Sequence, residues 1–437
     1  MKTIKLSLAA VMAATVATTG ASASMLEEII SNPQLDIEIR PRYEYVDVSD
    51  NGKDSAKALT VRTAVGVKMG LFGVDGLNAQ LQGMSVDNFG WITDYNGKTS
   101  GNPDYEVVAD PAQARMTQAN ISYTYEGFTG IFGRKMVVLD DARFIGNVGW
   151  RQMPQTYDLV AGLYNWEGLN LLAAYVTRVN TVVEKSFATE SLLLHADYKF
   201  MPELKVTVFD YMIENFADQP GIMATGTFDL DTVKVKYKAA YAAQTDPSFT
   251  SDKNAYVAAT LPGSAPAKPG DLSQDASYYK VGADVVWNAL TVGAYYELLG
   301  AADKNNGVYS GNAFNTPLAT LHAHNGWADM WLATPAQGLE DVGIKLAYNF
   351  GEYGKILGVY HIFSSDDDVV DTATGASSDD LGSEFDVAYN YKITQGLGLL
   401  LKGAWYSAGD QTVENVLGKH DTDKYWVQLD YKFHSEL

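Results

Sequence analysis

Cysteine is absent from this 437-residue chain. No disulfide can brace it, so stability in an oxidising compartment must come from another source. No stretch of about 18 or more apolar residues occurs, so there is no helical membrane span. No Gly-x-Ser-x-Gly elbow and no glycine-rich phosphate loop is present, and only six histidines occur. Those absences speak against a nucleophile-elbow hydrolase or a nucleotide-binding enzyme. Positive charge is scarce too. The net charge is −21, which argues against nucleic acid as a partner.

The start of the chain reads as a secretory leader. Lys2 and Lys5 precede an apolar run from Leu6 to Thr19, and Ala21-Ser22-Ala23 supplies small residues for cleavage. Cleavage is expected after Ala23, leaving 24–437 as one domain.

What is abundant is Tyr (27) and Gly (39), as expected for aromatic girdles and strand bends, and apolar and polar residues alternate with a period of two. Near the C-terminus Tyr425, Val427, Leu429, Tyr431 and Phe433 alternate with Lys424, Trp426, Gln428, Asp430 and Lys432. One face is apolar with aromatic ends and the other mostly polar, as for a strand with lipid on one side and water on the other. Similar endings recur at Ala196–Phe200, Ala347–Phe350 and Ala388–Tyr391, each before a short turn.

Eighteen such strands are expected, at 34–48, 58–71, 76–89, 112–125, 128–139, 156–165, 168–179, 188–200, 203–215, 221–229, 231–244, 275–288, 290–302, 340–350, 354–365, 381–393, 396–408 and 423–433. Those at 203–244 carry the weakest pattern, so sixteen is the alternative count. Short connections alternate with long ones at 90–111, 140–155, 245–274 and 303–339. No fixed repeat of the β-helix kind occurs. Lopsided turn lengths and aromatic strand ends disfavour a soluble sandwich. The expected fold is an all-β, antiparallel transmembrane barrel of the Gram-negative outer membrane, with short periplasmic turns, long outer loops and both termini periplasmic.

Alternation assigns faces. Arg40, Arg42, Arg62, Lys234, Lys236 and Lys238 fall on the lumen side, as do Lys280, Asp284, Glu384, Asp386 and Lys392. Placing Arg or Lys outward at mid-membrane would cost roughly 2–4 kcal/mol. All eight arginines lie before residue 180, so one wall is expected to carry a basic track or arginine–carboxylate pairs. Acidic runs such as Asp366–Asp368 and Asp379-Asp380 are expected in surface loops, solvated or holding cations.

The third long-side connection is unusual for a loop. Gly133-Arg134-Lys135, Arg143-Phe144, Gly146, Gly149-Trp150-Arg151-Gln152 and Gln155-Thr156-Tyr157-Asp158 combine arginines, aromatics and glycines that would sit poorly in water. Residues 139–156 are therefore expected to fold inward and narrow the lumen. The stretch 133–158 resembles the alginate-export family of outer-membrane porins, whose members carry a Gly-Arg-Gln…Asp…Arg-Phe…Gly…Trp-Arg-Gln…Gln-Thr-Phe-Asp run. Lys135 stands where they carry Gln. The resemblance implies an eighteen-stranded channel for an anionic solute, with Arg134, Arg143, Trp150, Arg151 and Gln152 at the constriction.

Two functional classes follow. The first is a porin for passive diffusion of small hydrophilic or charged solutes, monomeric or trimeric, in contact with outer-membrane lipid. The second is a structural or adhesin-like barrel with acidic, cation-binding loops. No enzyme, cofactor or metal site is expected. His322 and His324 with Asp329 are the nearest approach to metal-ligand spacing, and a third ligand set is lacking.

Overall fold

The computed structural model describes residues 29–250, 275–305, 308–309 and 311–436. The leader read at 1–23 lies outside the described residues. Eighteen long strands form one closed antiparallel barrel: β1 (Ile30–Val48), β2 (Ala56–Leu71), β3 (Leu77–Asp87), β4 (Gln113–Tyr125), β5 (Phe128–Lys135), β6 (Thr156–Trp166), β7 (Leu169–Asn180), β8 (Ser186–Met201), β9 (Leu204–Ile213), β10 (Ala217–Leu230), β11 (Val233–Gln244), β12 (Ala276–Trp287), β13 (Leu290–Leu299), β14 (Leu339–Asn349), β15 (Lys355–Val370), β16 (Ser377–Lys392), β17 (Leu397–Ser407) and β18 (Thr422–Glu436). Each strand pairs with its sequence neighbours, and β1 closes on β18 with Ile37 opposite Phe433 and Tyr45 opposite Tyr425. Closure leaves no sheet edge, which is why apolar solvent is tolerated outside.

Polarity is inverted relative to a water-soluble domain. Phe132, Leu346, Ile344 and Val427 are exposed on the outside, while Arg42, Glu44, Glu384 and Asp386 are buried inside. Aromatic residues mark both ends of the outer band. Trp166, Phe200, Trp287 and Phe350 lie at one end; at the other, Tyr45 and Tyr425 pack 5.9 Å apart and Trp405 Nε1 donates to the Tyr425 hydroxyl at 2.8 Å. At the first end every connection has two to five residues. Glu126-Gly127 and Glu167-Gly168 hold positive φ at both positions, the geometry of the tightest hairpins.

All eighteen expected strands are present, including the three between 203 and 244. Their ends differ. β5 stops at Lys135 rather than continuing to 139, because the chain leaves the wall there to enter the lumen. Residues 113–118 of β4 therefore pair with β3 alone. β15 and β16 run on into a protruding hairpin, so Asp366–Asp368 and Asp379-Asp380 are strand residues rather than loop residues. A short helix, α1 (Gln411–Leu417), interrupts the last long connection; the Asp410 carboxylate caps it by accepting from Thr412 N–H, and Gly418 ends it at φ +61°.

The outward assignment makes a direct prediction. In lipid vesicles Leu346→Arg should destabilise the barrel by roughly 2–4 kcal/mol, whereas Lys345→Arg, one position away on the inner face, should be near neutral. Reversible urea unfolding distinguishes them, and equal effects would contradict the assignment.

Candidate pore constriction

Residues 136–155 leave β5 and cross the lumen before rejoining the wall at β6. On one side Gln152 Nε2 donates to the carbonyls of Thr60 (3.1 Å) and Arg40 (3.2 Å) on β2 and β1. Arg40 and Arg42 donate in turn to the carbonyls of Gly149 and Trp150. On the far side Arg143 Nε lies 2.9 Å from Glu297 of β13. Phe144 packs among Phe209, Tyr278 and Phe314, with ring centroids 4.7, 5.4 and 6.1 Å away. The Tyr157 hydroxyl donates to Gly146 O at 2.7 Å and holds the return limb.

A second inward segment comes from the 300–338 connection. The wall supplies carboxylates and this segment supplies backbone donors: Trp327 N–H to Asp386 (3.1 Å) and Ala328 N–H to Glu384 (2.7 Å). Asn325 Nδ2 adds Glu297 (3.1 Å) and Asp341 (3.2 Å). Gly326 sits at φ +84°, and a Cβ there would lie 2.4 Å from Glu384 Oε2, so both backbone and space require glycine. A third segment, 88–112, contributes Asp110, which accepts from Gln152 N–H at 2.7 Å and lies 3.5 Å from Arg42.

The three segments meet at a buried polar hub. Arg151 lies 3.1 Å from Glu44, 3.0 Å from Asp329 and 3.8 Å from Asp110. Lys424 also reaches Asp329 at 3.0 Å. His322 Nδ1 is 2.6 Å from Asp329, and its Nε2 is 2.7 Å from Lys402 Nζ. Since the ammonium can only donate, Nε2 accepts and Nδ1–H donates to Asp329, which fixes a neutral tautomer. Burial pushes the His322 imidazolium form well down in pH, in accord with that tautomer. Burial alone would raise Asp329, but His322, Lys424 and Arg151 hold its carboxyl well below the usual range. The Lys402 ammonium lies 3.7 Å from the Trp327 ring and 4.0 Å from the Trp150 ring, with Trp426 at 5.2 Å. Trp150 also stacks on His322 at 4.5 Å, and the Arg42 guanidinium lies 4.2 Å from its centroid. Cation–π contacts of this kind are worth about 2 kcal/mol when desolvated.

This arrangement revises the expected constriction residues. Arg143, Arg151 and Gln152 are 1, 8 and 0% exposed. They bind the loop to the wall through seams and do not face open lumen, because their partners Glu297, Glu44 and Thr60 enclose them. Trp150 is partly buried between the hub and a cavity below it. Arg134 is not in the constriction at all. It shares the outward face with Phe132 and Val160, donates to both Asp158 oxygens (2.6 and 2.8 Å) and to Met116 O (3.1 Å), and braces the wall where β5 ends. Arg40, Arg42 and Arg62 do point inward but are paired, with Asp430 (2.6 Å), Asp110 and Glu38 respectively. Lys234, Lys236 and Lys238 also point inward on β11, and Lys234 pairs with Asp229 at 2.8 Å. His322 and Asp329 do meet, but Lys402 takes the second imidazole nitrogen.

The solvated edge of the loop is acidic and faces a basic wall. Asp140 lies 3.4 Å from Lys205, and Asp141 pairs with Lys238. Lys280 sits nearby at 3.2 Å from Glu297. Asp140, Asp141 and Lys205 were missed by sequence reasoning, which weighted arginines. The signal was present: an Asp-Asp pair just past the end of a strand, within a loop expected to fold inward. Below the loop a cavity of about 940 Å³ opens toward the short-turn end, lined by Arg40, Trp150, Lys355, Lys392, Gln428 and Asp430 among others.

No family model and no curated protein matches the chain. Solved structures do. OccAB2 of Acinetobacter baumannii aligns with TM-score 0.68 at 15% identity, covering 94% of this chain and 100% of that one. The outer membrane protein OpdK from Pseudomonas aeruginosa aligns with TM-score 0.65 at 12% identity, over 92 and 99% of the two chains. OpdK solved with vanillate gives TM-score 0.66 at 12% identity, over 93 and 100%. At these identities the likeness establishes the fold, a closed eighteen-stranded antiparallel barrel.

Two predictions follow from the hub. Arg151→Ala leaves Glu44 and Asp329 buried without their shared cation and should cost about 3–5 kcal/mol, read as a lower unfolding midpoint. Acid should loosen the 300–338 segment. Burial, with Arg143 and Lys280 close by, pushes His324 down to about 3, while an unfolded histidine titrates near 6.5. The unfolded segment thus binds more protons between those values, and stability falls as pH drops from about 6.5 toward 3. The depressed Asp329 acts in the same direction at lower pH. Protection of 321–330 against hydrogen exchange, taken relative to the intrinsic amide rate at each pH, should be lower at pH 4.5 than at pH 7.5; unchanged protection would refute this.

Proposed function

We propose that this chain is an outer-membrane porin for passive diffusion of small hydrophilic or charged solutes, with the third long-side loop setting the aperture. The observation that carries the reading is the lodging of residues 136–155 across a charged lumen, with a solvated edge at Asp140 and Asp141 and an open cavity beneath. A barrel of this strand number is wide enough for water unless loops fill it. The outward apolar band fits lipid, and the lopsided connections fit long loops outside and short turns in the periplasm; on that reading both described chain ends are periplasmic. In this reading residues 1–23 are the leader and 24–437 the barrel.

The resemblance to alginate exporters rests on residues 133–158, and the solved relatives named above are Occ and Opd proteins. We therefore infer a general porin-type barrel rather than an alginate exporter. The basic wall of Lys205, Lys238 and Lys280 facing the acidic loop edge makes the aperture dipolar, a geometry that orients a solute's charges as it passes.

The competing reading, a structural or adhesin-like barrel, would fill the lumen. Single-channel recording in planar bilayers decides between them. Stable conductance is expected, larger after deletion of 140–155. Lys238→Ala should move the reversal potential toward cation preference and Asp141→Asn toward anion preference. A purified barrel that never conducts, with or without the loop, would favour the structural reading.

A further inference from the structure

The cavity below the inward loop has a chemistry of its own. The loop roofs it, held there by Arg40, which donates to the Gly149 carbonyl at 3.0 Å. Its side wall runs from β14 round to β1 near the short turns. At about 940 Å³ it lies within the size range of small-molecule sites.

The cations that line it are of two kinds. Arg40 is fully engaged: Nε donates to Asp430 at 2.6 Å, and the terminal nitrogens donate to Gly149 O at 3.0 Å and Glu38 at 3.3 Å. Asp430 is engaged in turn by Arg40 and by the Gln428 amide at 2.5 Å. Lys355 and Lys392 are different. Both are exposed, and among the described residues neither ammonium has an ion pair or a hydrogen bond. Glu352, the other acid of the lining, sits in the turn before β15 and pairs with neither.

Register sets the two lysines side by side. Lys355 on β15 stands opposite Asn390 on β16, and Lys392, two residues on, stands opposite Gly398 of β17. Diagonal neighbours on one face of a sheet are about 7–8 Å apart, so two ammonium groups on flexible stems can meet one anion between them. Gly398 keeps that space open, since a Cβ there would meet only Tyr391 O, at 3.8 Å.

The ligand chemistry follows from the donors. Planar carboxylates are held best by a guanidinium fork, and the guanidinium in this cavity is occupied. A phosphate monoester carries close to two negative charges above about pH 7 and spreads them over three oxygens, which suits two separate ammonium groups. Beside the lysines stand amides. Among the described residues the Asn390 side chain has no partner, and Asn349 uses its Oδ1, which accepts from Gly351 N–H at 3.0 Å. These groups complement hydroxyls.

We propose that this cavity is an exit-side binding site for small phosphate monoesters of hydroxylated compounds, sugar phosphates above all, with Lys355 and Lys392 taking the phosphate and Asn349 and Asn390 the hydroxyls. The inference rests on the channel reading and deepens it by naming a solute class. The test is calorimetric titration of the full-length protein in detergent at pH 8 with glucose 6-phosphate, glucuronate and inorganic phosphate, with bilayer current recorded on the same preparation. Glucose 6-phosphate should bind and interrupt the current briefly, and the other two should bind more weakly. Lys355→Ala and Lys392→Ala should each weaken glucose 6-phosphate binding about tenfold. Asn390→Ala should weaken the sugar phosphate alone and leave inorganic phosphate unchanged. Both lysines are exposed and unpaired, so their removal should leave the barrel folded. Calorimetry needs no conduction: binding to a barrel that never conducts would sink the channel reading and spare the site, whereas conduction without binding would sink the site alone. Glucuronate or inorganic phosphate binding as tightly as the sugar phosphate, or sugar phosphate binding indifferent to both lysines, would overturn the proposal.

Discussion

The constraint from which the rest follows is that backbone polar groups facing hydrocarbon must find partners within the protein. A sheet meets it only by closing on itself, and here β1 closes on β18. Eighteen strands then enclose more space than their own side chains can fill. Chain fills part of that interior and a cavity the rest: three inward segments lie at the long-loop end and a cavity at the other. These segments meet a wall whose inner face carries both charged and aromatic residues, so ion pairs and peptide donors hold them together with apolar packing such as Phe144 among Phe209, Tyr278 and Phe314. The Arg151–Asp329 hub and the peptide donors to Glu384 and Asp386 are therefore consequences of closure.

That attachment costs desolvation. Arg42, Arg151, Glu44, Asp110 and Asp329 are almost entirely out of water, and each would be expensive alone. They are tolerable because Arg42 and Arg151 each face two or more carboxylates and each ring nitrogen of His322 has one role. The tryptophans around Lys402 supply further stabilisation without any oxygen ligand. A network so interdependent gives up many contacts together when one member is lost, so the inward segments are held as a unit.

Much of the fold was legible because a barrel in lipid imposes a strict period of two. The eighteen strands, their faces and the inward loop could all be read from alternation and composition. The strand ends could not, since leaving the wall at Lys135 or running past Phe363 depends on contacts distant in sequence. The site was read partly wrongly for a related reason. Arg143, Arg151 and Arg134 have the residue type that binds anionic solutes, but a guanidinium serves a neighbouring carboxylate equally well, and spacing does not reveal where Glu297, Glu44 or Asp158 will lie. Asp140 and Asp141 were passed over because weight went to the arginines beside them, and Lys205 lay on a strand with no reason to be singled out.

The way the 300–338 segment is fastened bears on how such a protein can change over time. Trp327 and Ala328 reach the wall through peptide N–H groups, which every residue but proline possesses. Those two hydrogen bonds by themselves place little demand on side-chain identity, although the Trp327 ring also meets the Lys402 ammonium and Gly326 is required beside them. The peptide frame can therefore stay fixed while other side chains that face the lumen are exchanged.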